Sequence, residues 1–233
     1  MDATGRGGAG GEPGRGARGG GGVGWIHTRS GIKPTLLIDL PGMATIYKPT
    51  DWEVDGFAAG DGSHPPLSAY TQSIFPEADF PLVWDEQQNY GFLHRLDIPS
   101  SGLVLSGTTS EGYYCLRLQL DTQRLRREYA VVCQGLARAT LVGVTARVDV
   151  APDPSQRKSI NDSGKPSQTQ VVVGAHIAGF TGLEEGRMCI TVIRIFTGRR
   201  HQIRVHMRHC SHPSVADARY TCREVLALGG GRP

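Results

Sequence analysis

The chain has 233 residues, 39% of them hydrophobic and 20% charged, with a formal net charge of +3. That length holds one ordinary domain with room for an appendage, and the mild positive charge is compatible with a nucleic-acid partner but too small to identify one. The five cysteines, at 115, 133, 189, 210 and 222, form no C-x-x-C pair and leave an odd count, which argues against a disulfide framework and for a reducing compartment. No apolar run is long enough to span a bilayer and no secretory segment follows Met1. A soluble, intracellular protein is expected, its compartment left open.

Residues 1–24 are mostly glycine with scattered arginines and offer almost nothing to bury, so they are expected to form a disordered tail. From about residue 41 the patterning turns globular, and "MATIYKP" (43–49) reads as a short strand stopped by Pro49. Residues 50–82 are rich in turn formers and acids and predict loop. "SGLVLSG" (101–107) predicts a short buried strand. Thr109 or Ser110 then caps a helix in which Tyr113, Leu116 and Leu120 recur at helical spacing.

Strands are predicted at "REYAVVCQG" (127–135), "LVGVTARVDVA" (141–151), "SQTQVVVGAHI" (167–177) and "RMCITVIRIFTG" (187–198). The last alternates, with Cys189, Thr191 and Ile193 on one side and Met188, Ile190 and Val192 on the other. Several strands in succession with few helices between them predict a largely antiparallel sheet in an α+β domain.

A final amphipathic helix is predicted through "RRHQIRVHMRH" (199–209). Arg200, Arg204 and Arg208 fall at i, i+4 and i+8, one basic stripe, beside an apolar stripe of Ile203, Met207 and Cys210. Arg204 then sits at the edge between core and cleft, where a guanidinium seeks a carboxylate or phosphate. The crowding of His201, His206, His209, Cys210 and His212 raises a metal site, but the spacing opposes it: only His206, His209 and Cys210 can converge, and no H-E-x-x-H or paired C-x-x-C is present. Three of these histidines are expected to contact RNA or to cap the helix C-terminus, and no metal is expected.

The stretch "GFLHRLDIPSSGLVLSG" (91–107) poses the sharper question, because Asp97 is either a turn residue closing a loop or a nucleophile held at a strand entrance. "HRLDIPSSGLVL", "REYAVVCQG", "GKPSQTQ" and "TGRRHQIRVHMRHCSHPSVADARY" together resemble the RluA-type pseudouridine synthases, over roughly residues 41–220. "IYKP" (46–49) is similar to that family's N-K-P element, with Tyr47 in place of asparagine. The resemblance implies the fold of that family, α+β with a largely antiparallel mixed β-sheet, flanking helices and a central catalytic cleft, and isomerisation of uridine in RNA to pseudouridine without cofactor or metal. By match, Asp97 is the catalytic aspartate, Tyr129 the tyrosine stacked on the target base, Arg204 the arginine paired with Asp97, and Arg95 the residue that fills the space left by the flipped nucleotide. Ile203 is placed to close the pocket, and His201, Arg200 and Arg208 to contact substrate.

Such chemistry has physical demands. The base must be extruded from its stack. A carboxylate in an enclosed pocket must attack the ribose or balance its charge, which an opposite charge supports. A flat ring must hold uracil, and a hydroxyl can relay a proton. A single copy of the chain is expected to act on ribosomal, transfer or messenger RNA, with no membrane partner. The other reading is a catalytically weak RNA-binding protein that keeps the fold; the joint presence of Asp97, Tyr129 and Arg204 favours the enzyme, since binding alone needs no carboxylate in a basic cleft.

The departures from the family pattern are local. Residues 50–62 lack the usual glycine-rich continuation, and Ala216 stands where the family has glycine. The family's closing segment is not recognisable after Tyr220. The catalytic domain is therefore expected over 25–220 and a divergent or truncated tail over 221–233, with no S4-like module ahead of the domain.

Overall fold

In the computed structural model, residues 31–55, 63–149, 157–177 and 187–221 are described. The tail expected over 1–24 lies outside them, as does all but the first residue of the segment 221–233.

A hairpin opens the fold: β1 (Thr35–Leu40) and β2 (Met43–Lys48) pair antiparallel around Pro41-Gly42. Gly42 has φ 80°, and a Cβ there would come within 2.8 Å of Thr109 Oγ1, so the turn requires glycine. Pairing β2 with β3 (Gly102–Gly107) completes a three-stranded sheet of order β1-β2-β3. A helix, α2 (Ser110–Asp121), follows, with the Thr109 side chain accepting from Gly112 N and Tyr113 and Leu116 buried, as its spacing predicts.

Residues 50–82 correct the expectation of loop. They contain α1 (Leu67–Ile74), and a 3₁₀ turn, Pro81–Trp84, starts at their end. Pro66 offers no side-chain cap to α1; instead the Asp55 carboxylate accepts from Ser68 N at 2.9 Å and from the Ser68 hydroxyl. This cap comes from a distant residue, so the local sequence carries little sign of it.

The second sheet has order β4-β7-β6-β5, all antiparallel, from β4 (Arg127–Gln134), β5 (Gly143–Thr145), β6 (Gln168–Ile177) and β7 (Met188–Ile195). On β7 the Cys189, Thr191 and Ile193 side is buried, while Ile190 and Val192 are exposed, matching the alternation. The strand predicted over 141–151 is shorter than expected: β5 stops at Thr145, and Val148 forms only isolated bridges to Ile160 and Lys165. The architecture is α+β, as expected, with the antiparallel pairing divided between two sheets.

The last helix, α3 (Gln202–His209), starts later than predicted. His201, at φ 57°, takes a left-handed conformation and is its N-cap. Arg200 therefore lies ahead of the helix, off the Arg204 and Arg208 face, which breaks the expected three-arginine stripe. Ile203 and Met207 do pack inward, on a core of Cys133, Val171, Cys189, Ile193 and Ile195. A second core, Ile46, Trp52, Leu67, Phe92, Leu96 and Val104, lies behind the first sheet. Tyr129 packs against both, so its ring stands where the two cores meet.

Candidate active site

Two loops from different sheets meet beside Tyr129. The first runs from Phe92 to Gly102 into β3. Its main chain does form a turn, Ser100 N donating to Asp97 O at 2.9 Å. The Asp97 side chain is free of that turn, however, and receives Arg204 Nη1 at 3.2 Å. The backbone of Asp97 thus closes the turn, while its carboxylate is left to Arg204.

Lys48 supports the loop from below. Its ammonium is fully buried and donates to Pro49 O at 2.9 Å, Trp52 O at 2.8 Å and Ile98 O at 3.4 Å, tying the end of β2 to the residue after Asp97. Burial lowers its pKa to about 8, against the pull of Asp97 and Asp51. His94 Nε2 accepts from Leu105 N at 3.3 Å, and burial, assisted by Arg127, pushes its pKa down to about 4. The imidazole is thus neutral at physiological pH.

The second loop precedes α3. Gln202 Oε1 accepts from Thr197 Oγ1 at 2.8 Å and Arg199 N at 3.0 Å, while its Nε2 donates to Gln168 O and Thr169 Oγ1, both at 3.0 Å. This anchors the turn that delivers His201 and Arg204. His201 is buried; its Nδ1 lies 2.8 Å from the Tyr220 hydroxyl and its Nε2 3.8 Å from Asp97 Oδ2. Burial holds its pKa below the ordinary histidine value, the carboxylate opposing.

The Arg204 guanidinium is the hub. Besides Asp97 it donates to Asp217 through Nε at 2.7 Å and Nη2 at 2.6 Å, a bidentate pair. Its flat face lies over the Tyr220 ring, 4.8 Å from the centroid. Burial opposes its charge, but Asp217 and Asp97 outweigh burial and its pKa stands above the ordinary value. Burial, the largest influence, pushes the Tyr129 phenol up, with Arg127 opposing and Asp97 adding to the shift. Ile203 shares the core on which Tyr129 packs.

The other sequence-predicted residues divide. Arg95 is half-buried beside Asp97, Arg200 and Glu53, and its Nε is buried without a hydrogen-bond partner. Arg200 is half-buried and Arg208 exposed. His206 corrects the expectation of RNA contact, because it is fully buried, with Thr169 Oγ1 at 2.9 Å and Ala146 O at 3.1 Å. His212 likewise uses Nδ1 on Gln134 O at 2.9 Å. Among the described residues no group of three or more His, Cys, Asp or Glu side chains is arranged to hold a metal ion, and no helix is long and apolar enough to cross a membrane. Sequence reasoning missed Asp217, Tyr220 and Lys48. Their only local signals are an acid and a tyrosine a few residues past the helix, and a lysine at the end of a mostly apolar strand.

Known proteins share this arrangement of chain. The chain is 33% identical over 190 residues to the ribosomal large subunit pseudouridine synthase D of Salmonella typhimurium and 32% identical to that of Escherichia coli, in each case over 81% of its own length and 50% of the relative's. It spans about half the length of these curated relatives. Among solved structures, human RNA pseudouridylate synthase domain containing 1 superposes with a TM-score of 0.61 at 21% identity, over 82% of this chain and 71% of that one. Human RNA pseudouridylate synthase domain containing 4 gives 0.55 at 16% identity, over 82% and 70%. At these identities the superpositions speak for the fold, α+β with antiparallel sheets. The model of the family described as RNA pseudouridylate synthase matches residues 45–209, which takes in Asp97, Tyr129 and Arg204, and the chain belongs to that family.

Proposed function

We propose that this chain isomerises uridine in RNA to pseudouridine, with Asp97 as nucleophile. The observation that carries the reading is the Asp97–Arg204 contact of 3.2 Å, with Arg204 fixed from behind by Asp217. A guanidinium clamped on one side presents its remaining N–H groups in a fixed geometry, and the carboxylate it meets is held for reaction at a neighbouring carbon.

In the proposed course, an extruded uridine stacks on Tyr129. Asp97 forms a bond to the ribose C1′ as the N1–C1′ bond breaks, its electron pair leaving with the base. The base turns over, C5 attacks C1′ and the carboxylate is expelled. The C5 proton is then lost, by relay through the Tyr129 hydroxyl, and N1 takes up a proton. Atoms and electrons balance without an added cofactor. The partner is RNA. The names of the relatives make the large ribosomal RNA the first substrate to test.

The test uses RNA transcripts carrying tritium at uridine C5, where the new bond forms. Purified protein should release tritium to water and leave pseudouridine in digests of the product. Release from none of the ribosomal, transfer or messenger transcripts would overturn the enzyme reading.

A further inference from the structure

A basic cavity lies beside the chemistry just described. It measures about 280 Å³ and is lined by Lys158, Lys165, Arg199 and Arg200, with Val148 and Asp149. Lysine and arginine residues from two separate turns therefore share this lining with a single aspartate, and such a wall favours an anionic ligand.

Its walls are fixed. On one side Lys165 N donates to Val148 O at 2.9 Å, Val148 N to Lys165 O at 3.0 Å and Asp149 N to Ser159 O at 2.9 Å. A Cβ at Gly164 would come within 2.6 Å of Val148 O, so the glycine lets this turn close against the strand end. On the other side, Gln202 holds Arg199 N, and Arg199 Nε donates to Pro166 O at 3.3 Å, joining the two walls. Lys165 belongs to "GKPSQTQ", whose Gln168 and Thr169 accept from Gln202 in the scaffold of the Asp97 site, while Lys165 itself lines the cavity.

The cavity also borders that site. Arg200 Nε is buried without a hydrogen-bond partner, and the charge of Arg200 adds to burial in lowering the pKa of Arg95, which stands beside Asp97. Lys158 N donates to the Tyr220 hydroxyl at 3.0 Å, and that hydroxyl lies 2.8 Å from His201 Nδ1. One short path thus runs from the cavity wall to the ring that faces Asp97.

We propose that this cavity is a phosphodiester subsite, which grips a backbone phosphate of the RNA next to the nucleotide delivered to Asp97. The inference rests on the proposed uridine isomerisation for its substrate. The chemistry that selects the ligand is local: guanidinium and ammonium groups converging in a small rigid cavity suit a tetrahedral, singly charged phosphate.

The test reads binding, which needs no turnover. The probe is a labelled single-stranded RNA with one central uridine, prepared with a neutral methylphosphonate replacing each flanking linkage in turn. Wild-type protein should lose about tenfold in affinity at one flanking position, the size of one charge-assisted hydrogen bond. Lys165→Gln and Arg199→Gln should bind the unmodified RNA about tenfold more weakly and show no further loss at that position. Lys165 is exposed, so its replacement threatens no core packing. An undiminished penalty in both variants, or no sensitive position in the wild type, would overturn the proposal. So would binding of inorganic phosphate that Lys165→Gln abolishes without any methylphosphonate effect, since the cavity would then serve a free anion. Failure of tritium release with the methylphosphonate coupling intact would count against the isomerase reading alone.

Discussion

Arg204 meets Asp97 at 3.2 Å although 107 residues separate them in the chain. The two arrive from different sheets, so the pair exists only once both sheets and α3 have docked. If Asp97 is the nucleophile, Asp97→Asn should abolish tritium release while RNA affinity is unchanged or slightly higher, because a charge that repels phosphate is removed. Appreciable turnover by the variant would end the assignment.

Asp217 is the residue behind that pair. Its side chain is 5% exposed and takes two hydrogen bonds from Arg204, whose charge draws its pKa down against the opposing effect of burial. Asp217→Asn leaves a half-buried guanidinium short of one negative charge, a change expected to cost about 3 kcal/mol of stability. The Arg204 fork should also wander from Asp97, so kcat should fall more than KM rises. Denaturant melts and steady-state kinetics together check this; an unchanged kcat would mean that Asp97 alone holds Arg204.

The catalytic candidates were legible in the sequence because each sits in a short motif with its chemistry on the surface of the pattern: Asp97 in "HRLDIPSSG", Tyr129 in "REYAVV", Arg204 in "HQIRVH". The strands were legible where alternation was strong, as on β7. What stayed hidden depends on distant partners. The helix α1 takes its cap from Asp55, 13 residues before Ser68. His206 looks like part of a basic surface until Thr169 and Ala146 are seen to bury it. The helical stripe through Arg200 failed because one left-handed residue, His201, resets the register, and nothing in the side-chain pattern announces a left-handed histidine.

Exposed cations away from the chemistry should act through counterion release. Arg208 is exposed on α3, four residues beyond Arg204. Affinity for RNA should fall steeply with salt, and Arg208→Ala should flatten the slope of log affinity against log salt by about one unit. A slope equal to that of the wild type would remove Arg208 from the RNA path.

His94 supplies a pH dependence. Its pKa stands at about 4, against 6.5 for an ordinary histidine. Between those values the unfolded chain binds the proton and the folded one does not, so stability increases with pH across the window and is lost as pH falls from 6.5 toward 4. His94→Gln removes the titration and should flatten this part of the profile. Denaturant midpoints measured across the window check it; identical acid losses in both proteins would place the effect elsewhere.

Ala216 marks the one departure from the family pattern that the backbone explains. It sits at φ 59°, in the left-handed region, where an L side chain costs about 1–2 kcal/mol. Glycine takes that conformation freely, though it loses about 0.5–1 kcal/mol more backbone entropy on folding. The Ala216 side chain is exposed, so no packing is lost with it. Ala216→Gly should therefore stabilise the protein by about 0.5–1 kcal/mol, a gain seen as a higher denaturant midpoint with an unchanged slope. The residue directly precedes Asp217, which aims Arg204 at Asp97, so relief of strain there should leave kcat equal or raised. A destabilised Ala216→Gly would show that the turn is held by its neighbours strongly enough for chain entropy to outweigh the strain.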